Sequence, residues 1–226
     1  MMARKKNMER RKVILNSAFT LIRQQGLDGV SLQMIAEESG ISKSLLQSYY
    51  PHKTRLTNDI LHNMMSTILS KLNEYGIATS NEYTATMVFI NTALELGDRD
   101  PGLYNVLNSI FGNPETIDRW VQLITVWLKE EGLRDAFGKD QDVRIGLTYM
   151  ISGGGNLYAK RTELGLTAEK ISYIMVSSFL TTFLNFDKEQ ISRTMRDARD
   201  LISKTDIDDV HQALSHMFDE DAVINS

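Results

Sequence analysis

Several ingredients are scarce in this chain of 226 residues, and each absence excludes a class of structure. There is no cysteine, which excludes disulfides, thiolate metal sites and cysteine nucleophiles. Only three prolines occur, and no run of alternating β-branched residues indicates a β-sheet. No apolar run approaches the roughly 20 residues of a membrane helix, and the N-terminus lacks the apolar core of a secretory signal. The sequence therefore predicts a cytoplasmic protein with no membrane partner.

Residues suited to catalysis or metal binding are also few. The four histidines are dispersed at positions 52, 62, 211 and 216, and the last two lack a third ligand nearby. The chain has no nucleophile elbow, no glycine-rich phosphate loop after a strand and no His-Glu-x-x-His motif. We therefore expect no catalytic residue, no metal site and no cofactor, and an enzyme is the least favoured class.

The charge is unevenly distributed along the chain. The overall formal charge of −4 argues against a nucleic-acid partner, but residues 1–55 hold ten Lys or Arg and four Asp or Glu, a balance of +6. The other 171 residues carry a balance of −10. A basic tail on a solvated acidic body would explain this pattern, and so would a short nucleic-acid-binding segment.

Apolar residues recur at helical spacing over nearly the whole chain, which predicts an all-α protein. Pro101, Pro114, Gly132 and Gly165 fall at helix boundaries, as helix breakers should. The charge pattern divides this helical array into a basic part at residues 1–54 and a longer acidic part at 55–226, joined by a long helix. The predicted helices cover about 8–25, 32–38, 43–49, 51–74, 81–98, 101–111, 114–131, 140–163, 167–186, 187–203 and 206–218.

Residues 32–49 have the pattern of a helix-turn-helix, in which two short helices cross at a tight turn. Ala36 is the small residue needed at the crossing, and Gly40 suits a turn with positive φ. Ile41 and Leu46 supply the apolar contacts that follow, and Ser42 can cap the second helix. Together, at this spacing, these residues indicate a helix-turn-helix much more specifically than any one of them does.

The second helix of such a motif enters the DNA major groove with its N-terminal residues at the base edges. Gln47 can pair with adenine, Lys43 can reach guanine, and Leu45 can contact a thymine methyl. Tyr49 follows and is predicted to contact a phosphate, although it could instead be a core aromatic. Tyr50 is predicted to lie in the core. The predicted DNA-binding residues, including phosphate contacts after the helix and in the first helix of the motif, are Ser31, Gln33, Ser42, Lys43, Ser44, Leu45, Gln47, Ser48, Tyr49, His52 and Lys53.

The run from Ile35 to Ser44, followed by Tyr49-Tyr50-Pro51-His52-Lys53, resembles the N-terminal domain of the TetR family of transcriptional regulators. The resemblance covers about residues 8–60. Gln47 departs from the pattern, because the family usually has an aromatic residue there. The resemblance implies a variable all-helical domain that binds a small molecule and dimerises through its last two main helices.

A symmetric dimer also follows from geometry, because one module reads only a few base pairs and a palindromic operator offers two half-sites. The helices at 140–163 and 167–186 are the candidates for the interface. The first contains Gly153-Gly154-Gly155, which suits close helix approach, a kink beside a pocket, or a loop. The second has an apolar stripe that suits an interface or an ordinary core. The predicted interface residues are Gly153, Gly154, Ile171, Met175, Phe179 and Phe183.

Aromatic and methionine side chains in the C-terminal part suit either core packing or an apolar ligand pocket. The predicted ligand-binding residues are Tyr104, Phe111, Trp120, Trp127, Tyr149 and Met150. The sequence thus predicts a homodimeric repressor that binds double-stranded DNA and is released by a small-molecule effector of unspecified identity. The alternative is a DNA-bound interaction protein of the same fold with no effector.

Overall fold

The computed structural model describes residues 2–112, 114–130 and 140–219, with the backbone only for 2–6, 127–130 and 140. Within these ranges the chain is helical and has no strand. One short 3₁₀ turn, Ile77–Thr79, follows α4. The α-helices are α1 (Met2–Gly29), α2 (Leu32–Glu38), α3 (Lys43–Tyr49), α4 (Lys53–Glu74), α5 (Glu82–Arg99), α6 (Pro101–Phe111), α7 (Pro114–Glu130), α8 (Asp140–Ala159), α9 (Arg161–Leu164), α10 (Ala168–Leu184), α11 (Lys188–Lys204) and α12 (Ile207–Ser215).

The helix boundaries follow from local capping chemistry. Asp100 accepts from the backbone N–H groups of Gly102 and Leu103, and Pro101 occupies the first turn of α6, where no N–H is needed. Asp187 and Gln190 form a reciprocal capping box at the start of α11. Such signals lie within a few residues of each boundary, so most predicted helix limits agree with the structure.

Three predicted boundaries were wrong in detail. The first helix begins at Met2 rather than near Met8, although it ends at Gln25 as predicted, because Gly26 has a non-helical φ of 73° and a further turn follows this kink in α1. The fourth helix begins at Lys53 with His52 as its N-cap, two residues after Pro51. The helix predicted at 140–163 is interrupted at Lys160, and the short α9 follows. No helix in the described part of the chain is long and apolar enough to cross a membrane.

The helices α1 to α3 and the start of α4 pack around Ile14, Ala18, Ile35, Leu46 and Leu56, all with no exposed surface. The rest of α4 continues into a larger bundle. There α5 packs against α6, α10 and α11, while α8 packs between α7 and α10. The second half of α1 also packs along α6, so the basic N-terminal helices are docked on the bundle.

The glycine run in α8 is helical, which excludes the predicted alternative of a loop. A Cβ on Gly154 would collide with the thioether of Met175 in α10, and one on Gly155 would collide with the Phe111 side chain in α6. A Cβ on Gly153 would meet nothing within 4 Å. Two of the three glycines therefore permit close packing inside the protomer, and only Gly153 faces outward.

Candidate nucleic-acid interface and cavity

The helix-turn-helix is built from two capped seven-residue helices. The Ser31 hydroxyl accepts from the Met34 N–H at 3.2 Å, and the Ser42 hydroxyl accepts from the Leu45 N–H at 3.2 Å. Gly40 has φ 64°, so the turn uses the left-handed conformation that glycine tolerates. Ala36 and Leu46 are fully buried where α2 and α3 meet. The geometry of the motif is as the sequence predicts.

The polar side chains of α3 form an outward surface. Lys43, Ser44, Gln47 and Ser48 are exposed, as are Ser31, Gln33, Ser42 and His52, while Leu45, Tyr49 and Lys53 are half-buried. Gln33 donates to the Glu37 carboxylate at 2.7 Å, and Ser48 donates to the Leu45 carbonyl at 2.7 Å. The exposed amide of Gln47 and ammonium of Lys43 are therefore placed side by side on the face that a groove-binding helix would present.

Lys53 holds the motif together, a role that the sequence did not indicate. Its ammonium donates to the Leu27 carbonyl at 2.7 Å and to the Val30 carbonyl at 2.9 Å. These carbonyls lie at and just beyond the C-terminus of α1, where helical partners end. Because an ammonium has three donors, one remains for a phosphate. Lys53 thus ties the start of α4 to the end of α1, whether or not DNA is bound.

Tyr50 is a core residue, as predicted, and it anchors a polar cluster between α1 and α4. Its side chain has no exposed surface, and its hydroxyl donates to Asp59 Oδ2 at 2.9 Å. Arg11 donates to the same oxygen at 2.8 Å. Burial, together with the charge of Asp59, raises the pKa of Tyr50 to about 12 despite the opposing effect of Arg11. Arg11 therefore has a structural partner in Asp59.

A cavity of about 80 Å³ lies in the bundle between α4, α5, α6, α7, α8 and α10. Among the described residues that line it, none is charged, and the polar side-chain groups are the Thr86 hydroxyl and the Trp120 indole N–H. The lining residues are Met65, Leu69, Ala85, Thr86, Phe89, Ile90, Ala93, Leu94, Leu107, Phe111, Trp120, Ile124, Leu147, Met150, Ile151 and Met175.

Three of the predicted ligand residues, Phe111, Trp120 and Met150, line this cavity. Tyr104 does not, because its ring packs under the Arg161 guanidinium, 4.5 Å from the ring centroid. Tyr149 is 58% exposed on the outer face of α8. The side chain of Trp127 lies outside the described residues. Tyr104 and Tyr149 are therefore removed from the predicted pocket, and residues of α4 and α5 that the sequence did not single out replace them.

The sequence of the motif matches a known family. Residues 14–60 match the model for bacterial regulatory proteins of the tetR family. Over this segment the chain is similar to the TetR family of DNA-binding regulators. This match includes α2 and α3 completely, together with the caps and the Lys53 anchor described above.

Relatives and solved structures are similar to this chain beyond the helix-turn-helix. The nucleoid occlusion factor SlmA of Haemophilus influenzae is 29% identical over 104 residues, 44% of this chain and only 46% of that protein. SlmA of Shewanella halifaxensis is 24% identical over 181 residues, 75% of this chain and 92% of that protein. RolR in complex with resorcinol has a TM-score of 0.55 at 16% identity, covering 87% of this chain and 95% of its own. A TetR-family transcriptional regulator from Rhodococcus sp. has a TM-score of 0.50 at 17% identity, covering 77% and 98%. At these identities the structures show a shared fold.

Polar contacts fix α1 to α6. Asn105 Nδ2 donates to the Arg23 carbonyl at 2.9 Å, and the Leu27 N–H donates to Ser109 Oγ at 3.0 Å, on either side of the Gly26 kink. Arg23 also forms an ion pair with Asp100. The sequence did contain a signal for this junction, because Asn105 and Ser109 are polar residues four apart on one face of a mostly apolar helix.

Asp100 connects three helices at this junction. Arg23 of α1 and His211 of α12 both reach its Oδ2, and its Oδ1 caps α6. Burial opposes its ionisation, but the His211 hydrogen bond, the Leu103 and Gly102 N–H groups and the Arg23 charge outweigh burial and lower its pKa. His211 is therefore a junction residue, although its sequence context suggested a solvated surface position.

The predicted dimer residues are divided between the core and the surface. Ile171, Met175 and Phe179 are buried inside the protomer, and Gly154 is covered by Met175, so a second copy would not reach them. Gly153 is exposed, and Phe183 is half-buried. The prediction that these buried residues form the dimer interface was therefore wrong. Among the described residues, no group of three His, Asp or Glu side chains could hold a metal ion.

Proposed function

We propose that the protein is a homodimeric repressor that leaves a palindromic operator when a small molecule enters the cavity. The observation that supports this proposal is that α6 contacts both α1 and the cavity. One side of this helix is bonded to α1 through Asn105 and Ser109, and the other side lines the cavity through Leu107 and Phe111. A ligand that displaces α6 would therefore change the orientation of the DNA-binding domain.

A second connection supports the same proposal. Arg119 of α7 donates to the hydroxyl of Thr54, in the first turn of α4, at 3.2 Å. The next residue in α7, Trp120, lines the cavity. Thr54 follows Lys53, which holds the end of α1. The cavity is thus linked to the helix-turn-helix from two sides. A ligand that binds one orientation of the DNA-binding domain more tightly than another would shift the protein toward that orientation.

The eleven predicted DNA residues are retained as the proposed interface, with Lys43 and Gln47 as the base readers. Two such helices in a dimer must lie about 34–36 Å apart to enter successive major grooves. The division of the chain at residue 54 is likewise retained as a proposal, with residues 55–226 responsible for regulation and dimerisation.

The proposed dimer interface is the outer face shared by α8 and α10. Ile145 and Tyr149 are 51% and 58% exposed, and Gly153 continues the same face at four-residue intervals. Tyr149 packs on Phe183 of α10, with 6.0 Å between ring centroids. Adjacent large apolar side chains on an exposed surface favour association, and a second copy provides a matching face by symmetry.

DNA recognition is tested by selecting bound fragments from a random pool and measuring their affinity by fluorescence anisotropy over a range of salt concentrations. Gln47→Ala should relax base preference at one position per half-site, with a change of about 1–3 kcal/mol for that base. The matched control is Arg193→Ala, which removes an exposed residue paired with Glu189 on its own helix. Lys53→Ala is less informative, because it also removes two bonds inside the domain. Equal preference in wild type and Gln47→Ala would contradict the docking.

A DNA-bound interaction protein without an effector is the second candidate. It is favoured by the likeness to SlmA of Shewanella halifaxensis, which is called a nucleoid occlusion factor and is matched over 92% of its length. The two functions differ in one measurement. If compounds bind the cavity without lowering operator affinity, or if none binds, the interaction protein is the better description.

A further inference from the structure

The indole N–H of Trp120 is an unusual buried donor. The Trp120 side chain is only 9% exposed, and within the described part of the chain Nε1 has no hydrogen-bond acceptor. Buried tryptophan N–H groups usually find an acceptor, because leaving one unpaired costs free energy.

The surroundings of this donor are apolar. Trp120 lines the cavity and also a void of about 10 Å³ next to it, and Met65, Ala93 and Leu107 line both. Thr86, the other polar residue of the cavity wall, already donates its hydroxyl hydrogen to the Glu82 carbonyl at 2.8 Å. Among the described residues that line the cavity, none is charged, and Trp120 carries a buried donor without an acceptor. Burying an unpaired charge in such a place is strongly unfavourable.

The size of the space limits the ligand further. The cavity of about 80 Å³ is smaller than the roughly 150 Å³ engineered cavity that takes up benzene. Met65, Met150 and Met175 are part of the wall, and methionine side chains adapt readily to a guest. A molecule of about one ring fits with modest movement of these thioethers.

We propose that the cavity binds a small, uncharged, mainly apolar molecule of about one ring that accepts a hydrogen bond from Trp120 Nε1. This inference rests on the proposed role of the cavity as the effector site. It goes further by naming the ligand class and the residue that selects it.

Three probes of similar size test whether the ligand needs a hydrogen-bond acceptor and no charge. Acetophenone has one neutral acceptor, ethylbenzene has none, and benzoate is anionic. Their binding to the full chain is measured by titration calorimetry at pH 7, in wild type and in Trp120→Phe. Acetophenone should bind wild type, and its dissociation constant should rise roughly five- to tenfold in Trp120→Phe relative to the change for ethylbenzene. Benzoate should bind at least tenfold more weakly than acetophenone. Tyr104→Phe is the matched control, because it removes a polar group from an aromatic residue outside the cavity wall.

The proposal is overturned if benzoate binds as well as acetophenone, if Trp120→Phe changes both neutral probes equally, or if no probe binds at millimolar concentration. The comparison of probes in wild type does not depend on the folding of any variant. Operator affinity is measured separately with acetophenone present. Selective binding that leaves operator affinity unchanged would support the ligand class and count against the effector role.

Discussion

The hydrogen bond from the Leu27 N–H to Ser109 Oγ gives a direct measure of the junction between the DNA-binding domain and the bundle. Ser109→Ala removes the acceptor from a backbone donor that is partly buried beside the Gly26 kink. A donor left without a partner costs about 1–2 kcal/mol. For a chain of this size, that loss lowers the melting temperature by roughly 3–6 °C. Because the bond also holds α1 on α6, the operator dissociation constant should rise severalfold.

Thermal unfolding followed by circular dichroism and anisotropy titration with the selected operator measure the two effects. Ser203→Ala is the control, since that exposed serine donates only to the Asp200 carbonyl of its own helix, and its loss should leave both measurements unchanged. A lower melting temperature with unaltered operator affinity would show that the junction only stabilises the fold. If neither quantity changes, water replaces the serine and the reasoning about this bond is refuted.

Two further predictions concern the glycine pair of α8 and the Asp100 junction. Gly153→Ala should leave protomer stability unchanged or raise it by about 0.5–1 kcal/mol, while weakening the dimer in sedimentation equilibrium. Gly154→Ala should instead lower stability by about 1–3 kcal/mol through its collision with Met175, and an undiminished dimer in Gly153→Ala would contradict the proposed interface. Asp100→Asn keeps the helix cap but removes the charge facing Arg23, so it should cost about 1–2 kcal/mol in urea unfolding at pH 7. Because the pKa of Asp100 is lowered in the folded chain, this difference should shrink as the pH falls below about 4, whereas a constant difference would show that the charge contributes nothing.

Most of the fold could be predicted from the sequence because its signals are local. The caps at Ser31, Ser42 and Asp100 and the turn at Gly40 each act within four residues. The same holds for the buried crossing of the helix-turn-helix. The predicted end of the first helix agrees with the non-helical φ of Gly26, but the turn that follows is bonded to Ser109 of α6, a distant partner that no local pattern indicates.

The candidate site was only partly predictable because its geometry depends on contacts between distant residues. The partners of Lys53 lie 23 and 26 positions earlier in the chain, so its anchoring role has no local pattern. The cavity walls come from six helices, and an apolar stripe cannot show which of its members face a void. Gly153 and Gly154 are adjacent in sequence but face outward and inward, a distinction that only the packing of α10 reveals.

The acidic C-terminal region contributes to the same separation of charge that the sequence indicated. Its acids are not a free tail in the part that the structure describes, since Asp209 is paired with Lys71 and Asp208 with Arg99. Phe218 packs edge-on against Phe19 of α1, with 5.9 Å between ring centroids. These contacts hold α12 and the residues that follow it on α4, α5 and α1. The +6 balance of residues 1–55 remains separate from the acidic body, and phosphate contacts made by that segment should give operator binding a steep dependence on salt.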